Sequence, residues 1–367
     1  MGIKGLGQFL KKRKINPTLI SLRDLEGRKI AVDAFLFMWA HINVAHNHNV
    51  KATDVGMDIV NRQETLIRWY NSALQSILLW LGYGITPIFV FDGKHPLEKV
   101  NTQNSRKEKT RQTQEELDKY TEEVFAMDIL ERDASVVAKL RKLLMAGTYP
   151  TTEERKTFKT FLESLGLPCL QASGEGEKLC TSLVIDGYVD GVFSTDTDCL
   201  AYGCSYLFND TVWNNEIKCH CFQTLELEKI LSGLELTQEQ FRELCILFGC
   251  DYSCNVKGIG PEKAYTLITS VGEISDLLTL NPSSVEKKLQ KVLTSFQDGY
   301  QVLQDEHKTC GFDRCLELFA YQSSDEQIES SNVPSLKIFL PSDLLSIMQV
   351  YQVDDCYQEY KEKASRQ

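Results

Sequence analysis

The sequence predicts an α/β fold, a parallel-rich central sheet flanked by helices, and three observations predict it. Short apolar runs at Arg28–Val32 (RKIAV), Thr86–Phe91 (TPIFVF) and Gly191–Ser194 (GVFS) read as buried strands. Long amphipathic patterns lie between and after them, for example Arg62–Leu81 and Thr237–Phe248. Each run is followed at once by an aspartate: Asp33, Asp92 and, after Thr195, Asp196. Strands alternating with helices argue for a sheet covered on both faces. In such sheets ligands bind just outside the carboxyl ends of the strands, where these aspartates fall.

The stretch from Leu97 to Leu144 differs. It is rich in Lys, Arg, Glu and Gln and lacks Gly and Pro. It reads as helix with little apolar surface until about Val136. Such a helix either projects into solvent or folds onto a partner. His41, His46 and His48, with asparagines among them, read as a polar loop rather than a metal site. After about residue 305 the periodicity weakens. Ser323-Ser324 and Ser330-Ser331 read as a loop, and the C-terminus as a short charged helix.

The 367 residues are 43% hydrophobic, enough for a large core. No apolar run reaches the ~18 residues of a membrane span. Basic residues follow the apolar stretch Leu6–Leu10 rather than precede it, unlike a signal peptide. All twelve cysteines lie after residue 168 and none forms a CxxC pair; Cys219-His220-Cys221 is too tight for an ordinary zinc site. Free thiols in a reducing, intracellular compartment are expected. Net charge is −11, but its distribution is uneven. Residues 1–150 carry 22 Lys+Arg and 17 Asp+Glu, a net of +5. The remainder of the 40 and 51, namely 18 and 34, gives −16. A basic N-terminal part suits phosphate. Part of the acidic excess suits a site that a cation neutralises.

Seven acids stand out: Asp33, Asp92, Asp196 and Asp198 past strands, Glu175 and Glu177 opening a helix, and Asp251 at a helix end. Singly, each is compatible with a helix cap or with the helix dipole. Gathered at one end of a sheet they would repel strongly unless hard divalent cations offset them. Two Mg²⁺ ions roughly 4 Å apart activate water and stabilise the leaving oxygen of a phosphodiester. This chemistry needs no histidine, and none of the six is placed beside these acids.

Phosphate handling is the second signal. In Val256–Ala264 (VKGIGPEKA), Gly258 and Gly260 allow close backbone approach, and Pro261 suits a first helical position. The helix that follows offers free N–H groups, with Lys263 beside them. The segment is either a DNA-backbone clamp or a tight turn. Lys99, Arg106, Lys107, Lys109 and Arg111 follow Asp92 on one predicted helix, with Lys99 and Arg106 on a shared face. They form either a solvated face or contacts to a scissile phosphate. Lys11-Lys12-Arg13-Lys14 fits a nuclear localisation signal, a helix end or a phosphate contact equally.

These residues resemble a known family. Met1–Leu6 (MGIKGL) resembles the N-terminus of XPG-type nucleases. Val90–Lys94 (VFDGK), Glu175-Gly176-Glu177, Thr195–Leu200 (TDTDCL) and Gly249–Tyr252 (GCDY) resemble its core motifs in order, and Gly258–Pro261 its helix–two-turn–helix. Leu236–Asp251 is most similar to flap endonucleases. The likeness covers about residues 1–280. It implies a PIN-like 5′ nuclease core in regions 1–96 and 151–255. A helical arch would span 97–150 and a helix–two-turn–helix DNA-binding element 256–305, with 306–367 of unassigned role. It further implies that Asp33, Asp92, Glu175, Glu177, Asp196, Asp198 and Asp251 bind two Mg²⁺ ions, with Mn²⁺ as a substitute, directly or through water. Lys99 and Arg106 would be the catalytic basic pair of the arch, joined by the Gly2 amine. Trp39, Lys107, Lys109, Gly258, Gly260 and Lys263 would contact DNA, with K⁺ held at the Gly258 loop. The expected activity is 5′ flap endonuclease, with 5′→3′ exonuclease action, on branched DNA in the replication, repair and recombination of nuclear or viral DNA. The chain is expected to act as a monomer without a membrane.

There are departures. Gly176 stands where the family usually has Ala, and His46 and Ser76 where relatives often carry arginine. No clamp-binding motif or basic tail is seen, so sliding-clamp recruitment is not expected. Asp196-Thr197-Asp198 also resembles the nucleophile motif of haloacid-dehalogenase-like phosphohydrolases. That motif wants Thr or Val where Leu200 stands and leaves the Gly258 loop unexplained. A catalytically weak junction-binding relative would normally have lost some of the seven acids, and all are present.

Overall fold

A computed structural model describes residues 2–321. From the N-terminus the chain forms α1 (Leu6–Lys12), β1 (Thr18–Ser21), β2 (Lys29–Asp33), α2 (Ala34–Ala52), α3 (Arg62–Gly82) and β3 (Thr86–Phe91). Then come α4 (Val100–Ala126), α5 (Ala134–Leu144), α6 (Thr152–Ser164), β4 (Cys169–Gln171), α7 (Gly176–Ile185), β5 (Gly191–Phe193) and α8 (Asp198–Tyr202). The remainder is β6 (Tyr206–Asn214), β7 (Cys219–Glu226), α9 (Leu227–Leu234), α10 (Gln238–Phe248), α11 (Pro261–Val271), α12 (Ile274–Thr279), α13 (Lys287–Asp305) and α14 (Phe312–Phe319). The described backbone divides into two compact units, one of residues 2–33, 92–102 and 171–321, the other of 34–91 and 103–170.

In the first unit five strands lie in the order β1-β7-β6-β5-β2. β2 runs parallel to β5, with Ile30 opposite Gly191 and Val32 opposite Phe193, and β5 runs parallel to β6. Ile30, Ala31, Val32, Val192 and Leu207 are fully buried, as a strand covered on both faces requires. β6 and β7 form an antiparallel hairpin, and β1 adds antiparallel to β7. The sequence reading did not anticipate these three strands. Cys219 and Cys221 alternate into the core of β7 around a partly exposed His220, which leaves that triplet a structural role. Behind the sheet Phe9 of α1 meets Phe248 of α10 edge-on at 5.1 Å and Tyr265 of α11 at 5.6 Å. Arg13, in the Lys11–Lys14 cluster at the end of α1, pairs with Glu262 at 2.9 Å and lies 3.8 Å over the Tyr265 ring. Of the three readings for that cluster, the helix end describes Arg13.

The second unit is built on aromatic packing. Trp69 of α3 stacks on Phe158 of α6 at 4.7 Å, and Phe37 of α2 meets Phe89 of β3 edge-on at 5.3 Å. A smaller cluster joins Val50, Val55, Val124 and Leu140, with Leu117, Tyr120 and Val136 against it. Apolar packing along 97–144 therefore begins at Leu117, well before Val136. Residues 104–116 of α4 are all exposed. Their helix is supported by local pairs, Arg111 with Glu108 and Glu115, and Gln114 with Asp118.

One expectation fails here. His41, His46 and His48 lie in α2, not in a loop. Their packing overrides weak local preference: His41 Nδ1 bonds Ser72 Oγ at 2.8 Å and His46 Nε2 bonds the Leu144 carbonyl at 2.9 Å. After residue 305, where the sequence periodicity weakens, α14 buries Phe312, Cys315 and Phe319. The serine-rich loop and the C-terminal helix expected from sequence lie outside the described residues.

Candidate active site

Parallel pairing of β2 and β5 puts their carboxyl ends side by side. Asp33 closes β2, and its Oδ2 accepts a hydrogen bond at 3.2 Å from Ser194 Oγ, just past β5. The same Ser194 oxygen accepts from the Asp196 N–H, and Asp196 Oδ1 accepts from the Asp198 N–H, both at 3.0 Å. Thr197, not Asp196, is the N-cap of α8 and makes no side-chain cap bond, so the Asp196 carboxylate bonds the Asp198 N–H without being the helix cap.

Asp92 follows β3, and Gly93 makes its placement possible. The Gly93 N–H donates to the Gly174 carbonyl at 2.7 Å, and a Cβ there would lie 2.0 Å from the Ala172 carbonyl oxygen. Only glycine permits that approach. Asp92 Oδ1 then accepts from the Gly176 N–H at 2.8 Å, between Glu175 and Glu177. Glu175 occupies the N-cap position of α7, yet its side chain makes no cap bond. Its Oε2 accepts from Lys99 Nζ at 2.7 Å and Tyr252 OH at 2.8 Å, and its Oε1 bonds His95 Nδ1 at 2.8 Å.

Lys99 ties the group together. Its ammonium reaches Glu175 at 2.7 Å, Asp251 at 3.1 Å and Glu177 at 3.4 Å. Asp251 sits in the turn after α10, where the Cys250 N–H donates to the Ser253 carbonyl and Thr102 Oγ1 donates to the Asp251 carbonyl. Six of the seven acids are at most 7% exposed, and Asp92 is half-buried. Among the described residues the acids form a single chain of contacts within the first unit.

The electrostatics follow from burial. Burial pushes the Glu177, Asp196 and Asp198 carboxyls above the usual range, with neighbouring carboxylates adding to it at Glu177 and Asp198. Burial pushes Glu175 up as well, but His95, Lys99 and Tyr252 more than reverse it and hold it at about 2. For Lys99, burial favours the neutral amine, but Glu177, Glu175 and Asp251 outweigh it and keep the group charged. Among the described residues, both oxygens of Asp198 are buried without a hydrogen-bond partner. A buried carboxylate with no donor is costly. Glu177, Asp196 and Asp198 each offer an oxygen within 4.8 Å of the others. This all-oxygen group can hold a hard metal ion.

Gly2 lies against the same pocket, with φ +94° and room for no side chain: a Cβ would stand 2.3 Å from Asp196 Oδ1. The Ile3 N–H anchors it to Thr197 Oγ1 at 3.0 Å. Arg106, Lys107 and Lys109 are exposed on α4 in the second unit. Lys99 does not share their surroundings, because it ends a 3₁₀ turn, Leu97–Lys99, ahead of α4. Trp39 of α2 is half-buried 6.2 Å from Tyr149, with its indole N–H unpartnered. Gly258 takes φ +84°, Gly260 caps α11, and Lys263 Nζ donates to the Gly258 carbonyl at 2.8 Å.

Sequence reasoning missed two contributors. His95 does stand beside the acids, contrary to expectation, and its bond to Glu175 raises its own affinity for a proton. Its position three residues after Asp92 was the available signal. The second is Tyr252, braced by Tyr202 OH at 2.8 Å and by Phe319 of α14 at 5.4 Å. Nothing local announces that long-range brace.

Comparison with known proteins agrees with this geometry. The XPG N-terminal domain family matches residues 1–114, and the XPG I-region family matches 166–251. Flap endonuclease 1 of Naegleria gruberi is 32% identical over 279 residues, covering 76% of this chain and 67% of that protein. Flap endonuclease 1 of Aedes aegypti is 33% identical over 281 residues, covering 76% and 68%. Among solved structures, the catalytic core of Rad2 in complex with DNA substrate shares the fold at a TM-score of 0.62 and 19% identity, over 98% of this chain and 100% of that one. Flap endonuclease-1 from Methanococcus jannaschii does so at 0.55 and 23%, over 96% and 98%. The chain belongs to the XPG family of nucleases, within its flap endonuclease group.

Proposed function

We propose that this chain hydrolyses a phosphodiester of branched DNA near the junction of a 5′ single strand with duplex, using two Mg²⁺ ions. The observation that carries this reading is seven carboxylates linked in one unit, three of them paired with Lys99, with both Asp198 oxygens left without a donor among the described residues. Glu177, Asp196 and Asp198 would hold cation directly, and Asp33, Asp92, Glu175 and Asp251 would complete the shell directly or through water. Bound Mg²⁺, or Mn²⁺ in its place, would supply an activated water and charge stabilisation at the leaving oxygen.

The chain's own groups would do the rest. Lys99 presents a desolvated positive charge beside the reacting phosphate. His95 and Tyr252 keep Glu175 oriented. Gly2, once Met1 is removed, would place its amine beside Asp196. Arg106, Lys107 and Lys109 on the exposed stretch of α4 would contact the phosphates of the threaded strand. Trp39 would stack on a splayed base. Gly258, Gly260 and Lys263 would hold the duplex backbone at the start of α11, where K⁺ would also bind. Exonuclease action from a 5′ end would use the same ligands. The setting would be nuclear DNA metabolism, with the chain acting as a monomer.

The test is a 5′-labelled double flap incubated with Mg²⁺ or with chelator, followed by product sizing. Cleavage near the junction, only with metal, is expected. Equal hydrolysis after metal stripping would sink the proposal.

A further inference from the structure

Three thiols lie together behind Asp251. Cys315 of α14 is fully buried, and its Sγ stands 3.4 Å from Cys310 Sγ and is hydrogen-bonded to Cys250. Cys310 is half-buried, so solvent reaches this pair through it. The turn that carries Asp251 leans on the stretch just before Cys310. Ser253 bridges Thr309 through the backbone, Ser253 Oγ donates to Thr309 Oγ1 at 2.9 Å, and the Cys254 N–H donates to the Lys308 carbonyl at 3.1 Å. One residue thus separates the thiol pair from the wall of the acid pocket.

We propose that Cys310 and Cys315 are a reversible oxidation site, closed to a disulfide by a small-molecule disulfide such as oxidised glutathione. The Cys310 thiolate attacks one sulfur of oxidised glutathione and expels one glutathione thiolate. The Cys315 thiolate then attacks Cys310 Sγ in the mixed disulfide and expels the second. Two protein thiols are oxidised, one small disulfide is reduced to two thiols, and the two protons pass to those products. The hydrogen bond between the two thiols lowers Cys310 below its ordinary value and, with Cys250 and burial, raises Cys315, so the first attack falls to Cys310 and Cys315 loses its proton only at the second step.

Closure draws sulfurs 3.4 Å apart to about 2 Å. It pulls residue 310 toward α14 and takes the Cys315 thiol from Cys250. Both shifts act on the turn holding Asp251. This consequence rests on the proposed cation site; the oxidation does not. The midpoint for divalent-cation activation of cleavage should rise roughly ten-fold, as for loss of an outer-shell contact.

The test treats the full chain with oxidised glutathione, digests it with trypsin without reduction, and looks for a link between the peptides beginning at Thr309 and Cys315. Cation titrations of flap cleavage run before oxidation, after it, and after dithiothreitol. The expected result is that link, a raised midpoint and full reversal. Cys310→Ser should abolish both, while Cys254→Ser, outside the pair, should keep both. A glutathione adduct without the link, a Cys250–Cys315 link instead, or a midpoint shift persisting in Cys310→Ser overturns the proposal. A link with no change in midpoint overturns its regulatory part. The link is read by mass whether or not the chain cuts DNA, so failure of the nuclease reading is separately visible.

Discussion

Lys99 and Arg106 stand seven residues apart, yet they meet opposite surroundings. Lys99 is 6% exposed and touches three buried carboxylates. Arg106 belongs to a stretch, 104–116, in which every residue is exposed. A sequence reading treats them as one basic pair on one helix face. The structure separates a charge that folding has desolvated from charges that stay on an exposed stretch of helix. The first is held by its neighbours and shapes the pocket before any ligand arrives. The second costs folding little, and its use depends on what approaches it.

The strongest way to break that contrast is to remove an acid from the pocket. Asp196→Ala and Asp198→Asn should each slow flap cleavage by more than about 1000-fold, or about 4 kcal/mol in barrier. Flap binding should stay near that of the parent, because the proposal gives the phosphate contacts to Arg106, Lys107, Lys109 and Lys263 rather than to the acids. Excess Mg²⁺ should stabilise the parent against heat by on the order of 3 kcal/mol at a hundred times its dissociation constant. The Asp198→Asn variant should gain much less, since the charge is lost and one of the two oxygens left without donors becomes an amide nitrogen. Parental cleavage rates in either variant would remove the acids from the chemistry.

Changing the two cations separates their costs. Lys99→Met leaves Glu175, Glu177 and Asp251 without their shared counter-charge, and should destabilise the metal-free protein by about 3–5 kcal/mol. Arg106→Ala should change stability by less than about 0.5 kcal/mol. Both should slow single-turnover cleavage by more than they weaken flap binding. Urea unfolding and single-turnover assays read the two effects apart. A stability loss at Arg106 matching that at Lys99 would contradict the division drawn here.

How much was legible follows from the range of the interactions involved. The apolar runs at β2, β3 and β5 are local patterns, and their burial on both faces is written in unbroken hydrophobic residues. The acids after them were readable because the end of a parallel strand is a fixed place in such a sheet. The hairpin of β6 and β7 has no clean two-residue alternation, with burial broken by adjacent buried pairs such as Leu207-Phe208 and Cys221-Phe222, so it carries no strong local strand signal. His41 and His46 were misread because their partners, Ser72 and Leu144, lie far away in sequence and decide the helix. Lys99 was legible only as a basic residue soon after Asp92, because its three ion pairs come from residues 76, 78 and 152 positions away. Long-range ion pairs leave no periodic trace, so burial of a lysine inside an acidic pocket could be reached only from the fold.

The smallest expected effect contrasts the two units through their response to acid. In the second unit burial holds the His41 ring down to about 4, against an ordinary value of 6.5. The unfolded chain takes up a proton at His41 below that ordinary value while the folded chain does not. The stability from the neutral, packed ring is therefore complete above about pH 6.5 and is lost as pH falls toward 4. In the first unit the raised carboxyls of Glu177, Asp196 and Asp198 have the opposite sign: the metal-free fold keeps their protons where the unfolded chain releases them, so this contribution weakens as pH rises. His41→Gln can keep a hydrogen bond to Ser72 but cannot titrate. It should reduce the drop in unfolding free energy between pH 7.5 and 4.5 by on the order of 2 kcal/mol, measured in urea with chelator present. An unchanged drop would mean that the His41 ring meets solvent as the protein breathes, and that the second unit's core is looser around α2 than the Phe37 contact, at 4.3 Å, implies.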